Sequence, residues 1–124
     1  HDNNSKLDYV IELNTRPSGT RYMTAATTNI YPLCQLVDMA KGHWSAKDVR
    51  NSMENYYSTE LPIGNFPQEN IPSQKRFSSE NSYIVHGPKN YQRLTIRATS
   101  RNKLNNLTYE LVSDYANANN IHFN

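Results

Sequence analysis

The stretch YIVHGPKNYQRLTIRAT, residues 83–99, decides the fold because it predicts two antiparallel strands joined by a short turn. The strands are expected at Tyr83–Val85 and Tyr91–Thr99, with Gly87 and Pro88 in the turn between them. In the return strand, apolar residues alternate with polar ones, which is typical of a strand with one buried face. The apolar set is Leu94, Ile96 and Ala98, and the polar set on the other, solvated face is Arg93, Thr95, Arg97 and Thr99.

A first hairpin is expected upstream of this one. Alternating apolar residues predict a strand over Leu7–Leu13, and Arg16–Gly19 has the Pro and Gly that are typical of a turn. The following segment, Thr20–Ile30, is rich in Thr and is interpreted as the returning strand, although Ala25 and Ala26 weaken its alternation.

Three helices are predicted from apolar residues at helical spacing. Pro32 opens the first, which closes at Lys41 and Gly42. Ser45 is expected to cap the second, with Asp48 completing a capping box. The third runs from about Lys103 to Ala118. The apolar side of the second helix is expected to consist of Val49, Met53, Tyr56 and Tyr57.

The segment between Glu60 and Ser82 has three prolines and no periodicity, so we expect a long irregular loop at about 60–82. Loops of this length usually have a function or are held to the core by apolar side chains. Four residues favour a loop held over the core: Leu61, Ile63, Phe66 and Ile71.

The predicted order is therefore ββ-αα-loop-ββ-α. It corresponds to an α+β fold in which an antiparallel sheet from two β-hairpins has about three helices packed on one face. At 124 residues, the chain 1–124 is expected to form a single compact α+β domain.

The composition excludes several classes of protein. A net charge of +2 makes a nucleic-acid partner unlikely, and no apolar run is long enough to span a membrane. Cys34 is the one cysteine, so no internal disulfide is possible. The four histidines lack metal-ligand spacing, and nucleotide-binding glycine motifs are missing, so we expect no metal and no cofactor.

Catalytic candidates exist for one reaction, the metal-independent cleavage of RNA, which needs an acid, a base and a cation near the phosphate. These candidates are His86, Arg93, Arg97 and His43. The segments Gly42–Val49 and Tyr83–Pro88 resemble patterns in colicin-type tRNA-cleaving toxin domains. This resemblance implies an RNase-like toxin domain as an alternative function, and no catalytic assignment is carried over from it.

The preferred hypothesis is a non-enzymatic, extracytoplasmic protein-interaction module of a bacterial surface, secretion or sensory assembly, located in the periplasm or outside the cell. It rests on 9 tyrosines, on the abundance of Asn and on the absence of catalytic motifs. A small-ligand sensor roofed by the 60–82 loop is a further alternative. The residues expected to bind another protein are Tyr56, Tyr57, Tyr83, Tyr91, Arg93 and Arg97.

Overall fold

A computed structural model of the chain describes residues 21–66 and 76–118. These residues form four helices and three strands. In chain order they are α1 (Arg21–Thr28), α2 (Pro32–Ala40), α3 (Ala46–Ser52), β1 (Tyr57–Gly64), β2 (Ser82–His86), β3 (Gln92–Ala98) and α4 (Arg101–Ala118). The α+β class predicted from the sequence is confirmed.

The sheet has the strand order β1-β3-β2, and both pairings are antiparallel. The predicted hairpin of residues 83–99 is confirmed as β2 and β3. The central strand places Thr95 opposite both Glu60 of β1 and Ile84 of β2. Because side chains alternate between the two faces of a sheet, these three residues share one face.

The opposite face of the sheet carries the larger apolar core, as the alternation of β3 predicts. Leu94, Ile96 and Ala98 are fully buried there. They pack with Val85 of β2, with Phe66 and with Leu104 and Leu111 of α4. Burying each large side chain contributes roughly 1.5–3 kcal/mol, so α4 and this face form the main apolar contact of the described residues.

The face expected to be solvated is covered instead. Ala25 and Ala26 of α1 pack with Ile84 and Phe77 in a second buried cluster. Thr95 and Arg97, which were expected to face solvent, are 0% and 4% exposed. The arrangement with all helices on one face is therefore wrong, because α1 and α4 lie on opposite faces of the sheet.

The strand predicted over Thr20–Ile30 is also wrong, since most of this segment is helix α1. Two of its three threonines satisfy their hydroxyls within the helix: Thr27 donates to the carbonyl of Met23 and Thr28 to that of Thr24. The small side chains of Ala25 and Ala26 allow the helix to approach the sheet closely. Packing therefore overrides the weak strand preference of a Thr-rich segment.

The second predicted helix and the 60–82 loop also need correction. Ser45 caps α3 as expected, because its hydroxyl accepts from the Asp48 amide at 3.4 Å. The helix ends at Ser52, however, and Tyr57 begins strand β1. Glu60–Gly64, expected to be loop, belongs to β1, whose position at the sheet edge tolerates Pro62.

The other helix predictions are confirmed by α2, with Pro32 in its first turn, and by α4. Within the described residues, no helix combines the length and apolarity needed to cross a bilayer.

The expected strand at Leu7–Leu13 and turn at Arg16–Gly19 lie outside the described residues, as does the middle of the 60–82 loop. The single-domain organisation of 1–124 stays a prediction.

The turn between β2 and β3 depends on Gly87, which has φ +99°. A Cβ atom there would lie 2.7 Å from the backbone oxygen of Tyr91. We expect Gly87→Ala to lower the free energy of unfolding by about 1–3 kcal/mol, because it adds this clash to the backbone strain. Urea unfolding of the full chain measures the change.

Gly42→Ala is the matched control, because Gly42 also has positive φ, +73°, but nothing lies within 4 Å of its added Cβ. The Gly87 variant should lose more stability than the Gly42 variant. Equal losses of stability in the two variants would contradict the role assigned to the clash between the added Cβ and the Tyr91 backbone oxygen.

Candidate functional site

A buried polar network crosses the sheet under α1. The Glu60 carboxylate of β1 accepts from Arg93 Nη1 at 2.8 Å and from the Thr95 hydroxyl at 2.9 Å, both on β3. His86 Nε2 of β2 lies 2.8 Å from Thr95 Oγ1 and 3.3 Å from Glu60 Oε2. The three strands are thus joined through one carboxylate, with His86 and Thr95 almost or wholly buried.

The hydrogen bonds define the state of His86. The Thr95 hydroxyl has one proton and gives it to Glu60, so His86 Nε2 carries a proton and donates to Thr95. Burial lowers the pKa of His86 from its ordinary value of 6.5, and the charges of Arg21 and Arg93 act in the same direction against the opposing effect of Glu60. A neutral imidazole is therefore favoured at neutral pH.

His86 connects this network to a surface cleft through its contact with Tyr22. The Tyr22 ring of α1 stacks on the His86 ring, with centroids 4.2 Å apart and an interplanar angle of 28°. Tyr22 also lines a cleft of about 200 Å³ between α1 and the start of α2. The lining residues are Arg21, Tyr22, Tyr31, Pro32, Leu33, Cys34 and Arg76.

Both tyrosines of this α1/α2 cleft are held in place from outside it. His86 supports Tyr22 by stacking, and the Tyr31 hydroxyl accepts from the backbone N–H of Phe77 at 2.9 Å. Side chains fixed in this way lose little conformational entropy when a ligand binds.

The α1/α2 cleft carries two positive charges. The Arg21 guanidinium lies 5.2 Å from the centroid of the Tyr22 ring, and that of Arg76 lies 5.2 Å from the Tyr31 ring. Arg76 Nη2 also donates to Cys34 Sγ at 3.3 Å. The buried Arg21 Nε has no hydrogen-bond partner among the described residues. Such an atom is costly unless a ligand or solvent satisfies it.

The structure brings only part of the predicted catalytic set together. His86 and Arg93 both contact Glu60. Arg97 lies elsewhere on the same face, where it donates to the Ser79 carbonyl and to Asn29 Oδ1 between the rings of Tyr56 and Phe77. His43 is exposed and lines a separate shallow groove beside Trp44.

The residues predicted to bind a protein are spread over the sheet. Tyr57 pairs with Ala98 at one end of β3, whereas the exposed Tyr91 precedes its other end. A strand of this length spans about 20 Å, so the two rings do not share a small patch. Tyr83 packs against the apolar core, and Tyr56 donates to the Glu54 carboxylate. Their role in binding a protein stays a prediction.

The sequence gives little indication of the α1/α2 cleft. Arg21 and Arg76 are far apart in the chain and belong to no recognised motif, and Arg21 lies in a segment that was interpreted as strand. Tyr22 could be identified only from a correct helix assignment.

In the described parts of the chain, no three His, Cys, Asp or Glu side chains are grouped closely enough to hold a metal ion.

Comparison with known proteins finds one informative similarity. The chain is 45% identical over 104 residues to a protein of Methanobrevibacter smithii named carbamoyl-phosphate synthase. The match covers 84% of this chain and 28% of the relative, so the chain spans little more than a quarter of the relative's length. No family model and no solved structure matches the chain.

This similarity corrects the functional hypothesis. The relative is named for an enzymatic activity, which contradicts the prediction of a non-enzymatic protein-interaction module. The periplasmic or extracellular location, and the association with a surface or secretion assembly, were derived from that hypothesis and are wrong for the same reason. The similarity also gives no support to the RNase-like or sensor alternatives.

Burial of His86 predicts an acid-sensitive fold. Because its pKa in the folded chain lies below 6.5, the unfolded chain binds the proton at a higher pH than the folded chain. The contribution of neutral His86 to stability is thus complete above about pH 6.5 and decreases as the pH falls below it. Urea unfolding between pH 5 and pH 8 measures this decrease.

His86→Gln removes the titrating group while keeping an amide that can donate to Thr95. The variant should lose less stability than the unmodified chain as the pH falls from 6.5 to 5. The assignment fails if both proteins lose stability equally over this range.

Proposed function

We propose that this chain forms part of an enzyme that makes carbamoyl phosphate, the compound for which its relative is named. The observation that carries the proposal is the identity of 45% over 104 residues. Since the match includes 104 of the 124 residues, most of the described elements lie within it. The chain spans 28% of the relative, so the proposal concerns one portion of such an enzyme.

The chemistry of the product supports this proposal. Carbamoyl phosphate is a mixed anhydride of carbamic and phosphoric acids, so an enzyme that makes it must hold phosphate oxygens beside a carbonyl group. Arginine suits this task because its planar guanidinium donates two parallel hydrogen bonds to phosphate. The α1/α2 cleft has Arg21 and Arg76 in its lining, beside fixed aromatic rings.

The buried network supports an enzymatic role through its rigidity. Glu60, Thr95 and His86 are hydrogen-bonded to one another under α1, and His86 supports a residue of the cleft. Binding sites require side chains whose positions are held by a second set of contacts. In this proposal His86 is a positioning residue, since it contacts Tyr22 and lies under it.

A chimera tests the proposal. The matched segment of the Methanobrevibacter smithii relative is replaced by this chain, and carbamoyl phosphate formation from the substrates that the unmodified relative uses is followed by ³¹P NMR. The chimera should form carbamoyl phosphate, because equivalent segments of one enzyme are exchanged.

The controls are the unmodified relative and the relative without the matched segment. The first should be active and the second inactive. A chimera that folds, as judged by circular dichroism, but forms no carbamoyl phosphate beside an active relative would argue against the proposed function.

A further inference from the structure

We propose that the α1/α2 cleft binds the phosphate group of a small phosphorylated compound, with Arg21 and Arg76 donating to its oxygens. The choice of an acyl phosphate as the natural compound rests on the proposed function. The assignment of the cleft to phosphate rests on the geometry of the cleft itself.

The charge of the cleft favours an anion. Neither Arg21 nor Arg76 forms an ion pair with a carboxylate of the described residues, in contrast to Arg93, which is paired with Glu60 at 2.8 Å. Both arginines line a cleft with mostly apolar walls that include Pro32 and Leu33. Arg21 is partly buried there, so water screens its charge less than at an open surface and an entering anion is attracted more strongly.

Arg21 has one hydrogen-bond donor, its Nε atom, that the described part of the chain leaves unsatisfied. This atom is buried and has no acceptor among the described residues. A phosphate in the cleft would offer oxygens to the guanidinium groups of Arg21 and Arg76 at the same time. Arg76 now donates to the thiol of Cys34, a weak acceptor that a phosphate oxygen would readily replace.

The start of α2 adds to the attraction. Pro32, Leu33 and Cys34 line the cleft and form the first turn of this nine-residue helix. Tyr31 precedes the helix and provides no side-chain hydrogen bond to its first turn. The partial positive charge of a helix N-terminus stabilises a nearby anion.

The size and lining of the cleft restrict the ligand. A volume of about 200 Å³ holds several water molecules, which is sufficient for a phosphate group with a small substituent. The rings of Tyr22 and Tyr31 provide flat apolar surfaces on which a planar carbonyl group can lie. These features favour a small phosphorylated compound with a planar group over a bulky one.

Inorganic phosphate is the probe for the test, and the full 124-residue chain is used. Phosphate is titrated against chloride at constant ionic strength, and backbone amide shifts are followed by ¹H–¹⁵N NMR. We expect saturable shifts at residues 21–22, 31, 33–34 and 76. The affinity should fall about tenfold or more in Arg76→Gln and in Arg21→Gln, because each loses a charge-assisted hydrogen bond.

Arg101→Gln is the matched control, since it removes the same charge from the exposed start of α4 on the other side of the sheet. It should leave the phosphate affinity unchanged. If Arg21→Gln fails to fold, Arg76→Gln decides the test, because Arg76 is exposed and its removal leaves the core intact.

The proposal is overturned if phosphate causes no saturable shifts, if the shifts lie away from the cleft, or if Arg101→Gln weakens binding as much as the cleft variants. Displacement of phosphate by acetyl phosphate supports an acyl phosphate as the natural ligand.

Because phosphate binding needs no turnover, this inference and the proposed function can fail separately. An inactive chimera leaves the binding result standing, and absence of phosphate binding leaves the chimera result standing.

Discussion

The structure depends on the Glu60 carboxylate that joins all three strands beneath α1. Arg93 and Thr95 donate to it directly, and His86 reaches it both directly and through Thr95. Buried polar groups are costly unless all of them are hydrogen-bonded. This network therefore specifies the register of the sheet more strictly than apolar packing alone, since a shift by one residue would separate all three partners from Glu60.

The network also connects the sheet to the α1/α2 cleft. His86 is held by Thr95 and Glu60 on its edge and stacks against Tyr22 on its face. Arg21 and Tyr22 open α1, whose alanines pack on the same face of the sheet. The position of the first turn of α1, and with it one wall of the cleft, thus follows from contacts made inside the domain.

Local patterns were sufficient to predict part of the fold. The alternation of Leu94, Ile96 and Ala98 identified β3, and Pro32 and Ser45 identified the starts of α2 and α3. Helix α1 was missed because its threonines favour strand locally, and its two buried alanines become informative only against the sheet. The edge strand β1 was missed because Pro62 is typical of loops.

The candidate site was harder to predict from the sequence than the fold. His86 and Arg93 were identified as notable, but their common partner Glu60 was assigned to a loop, so the network could not be recognised. The cleft combines Arg21 with Arg76 through tertiary packing, and no local motif marks either residue. The apolar residues of α2 with the expected helical spacing include Leu33, Leu36 and Val37, but the spacing did not predict that all three are exposed.

The most direct test of this account is the phosphate affinity of Glu60→Gln, measured beside Glu110→Gln on the exposed surface of α4. Glu60 does not line the cleft, and it acts there only through His86 and Tyr22. The account predicts that Glu60→Gln weakens phosphate binding and accelerates amide hydrogen exchange in α1, whereas Glu110→Gln changes neither. Unchanged phosphate affinity and unchanged exchange in a folded Glu60→Gln chain would contradict it.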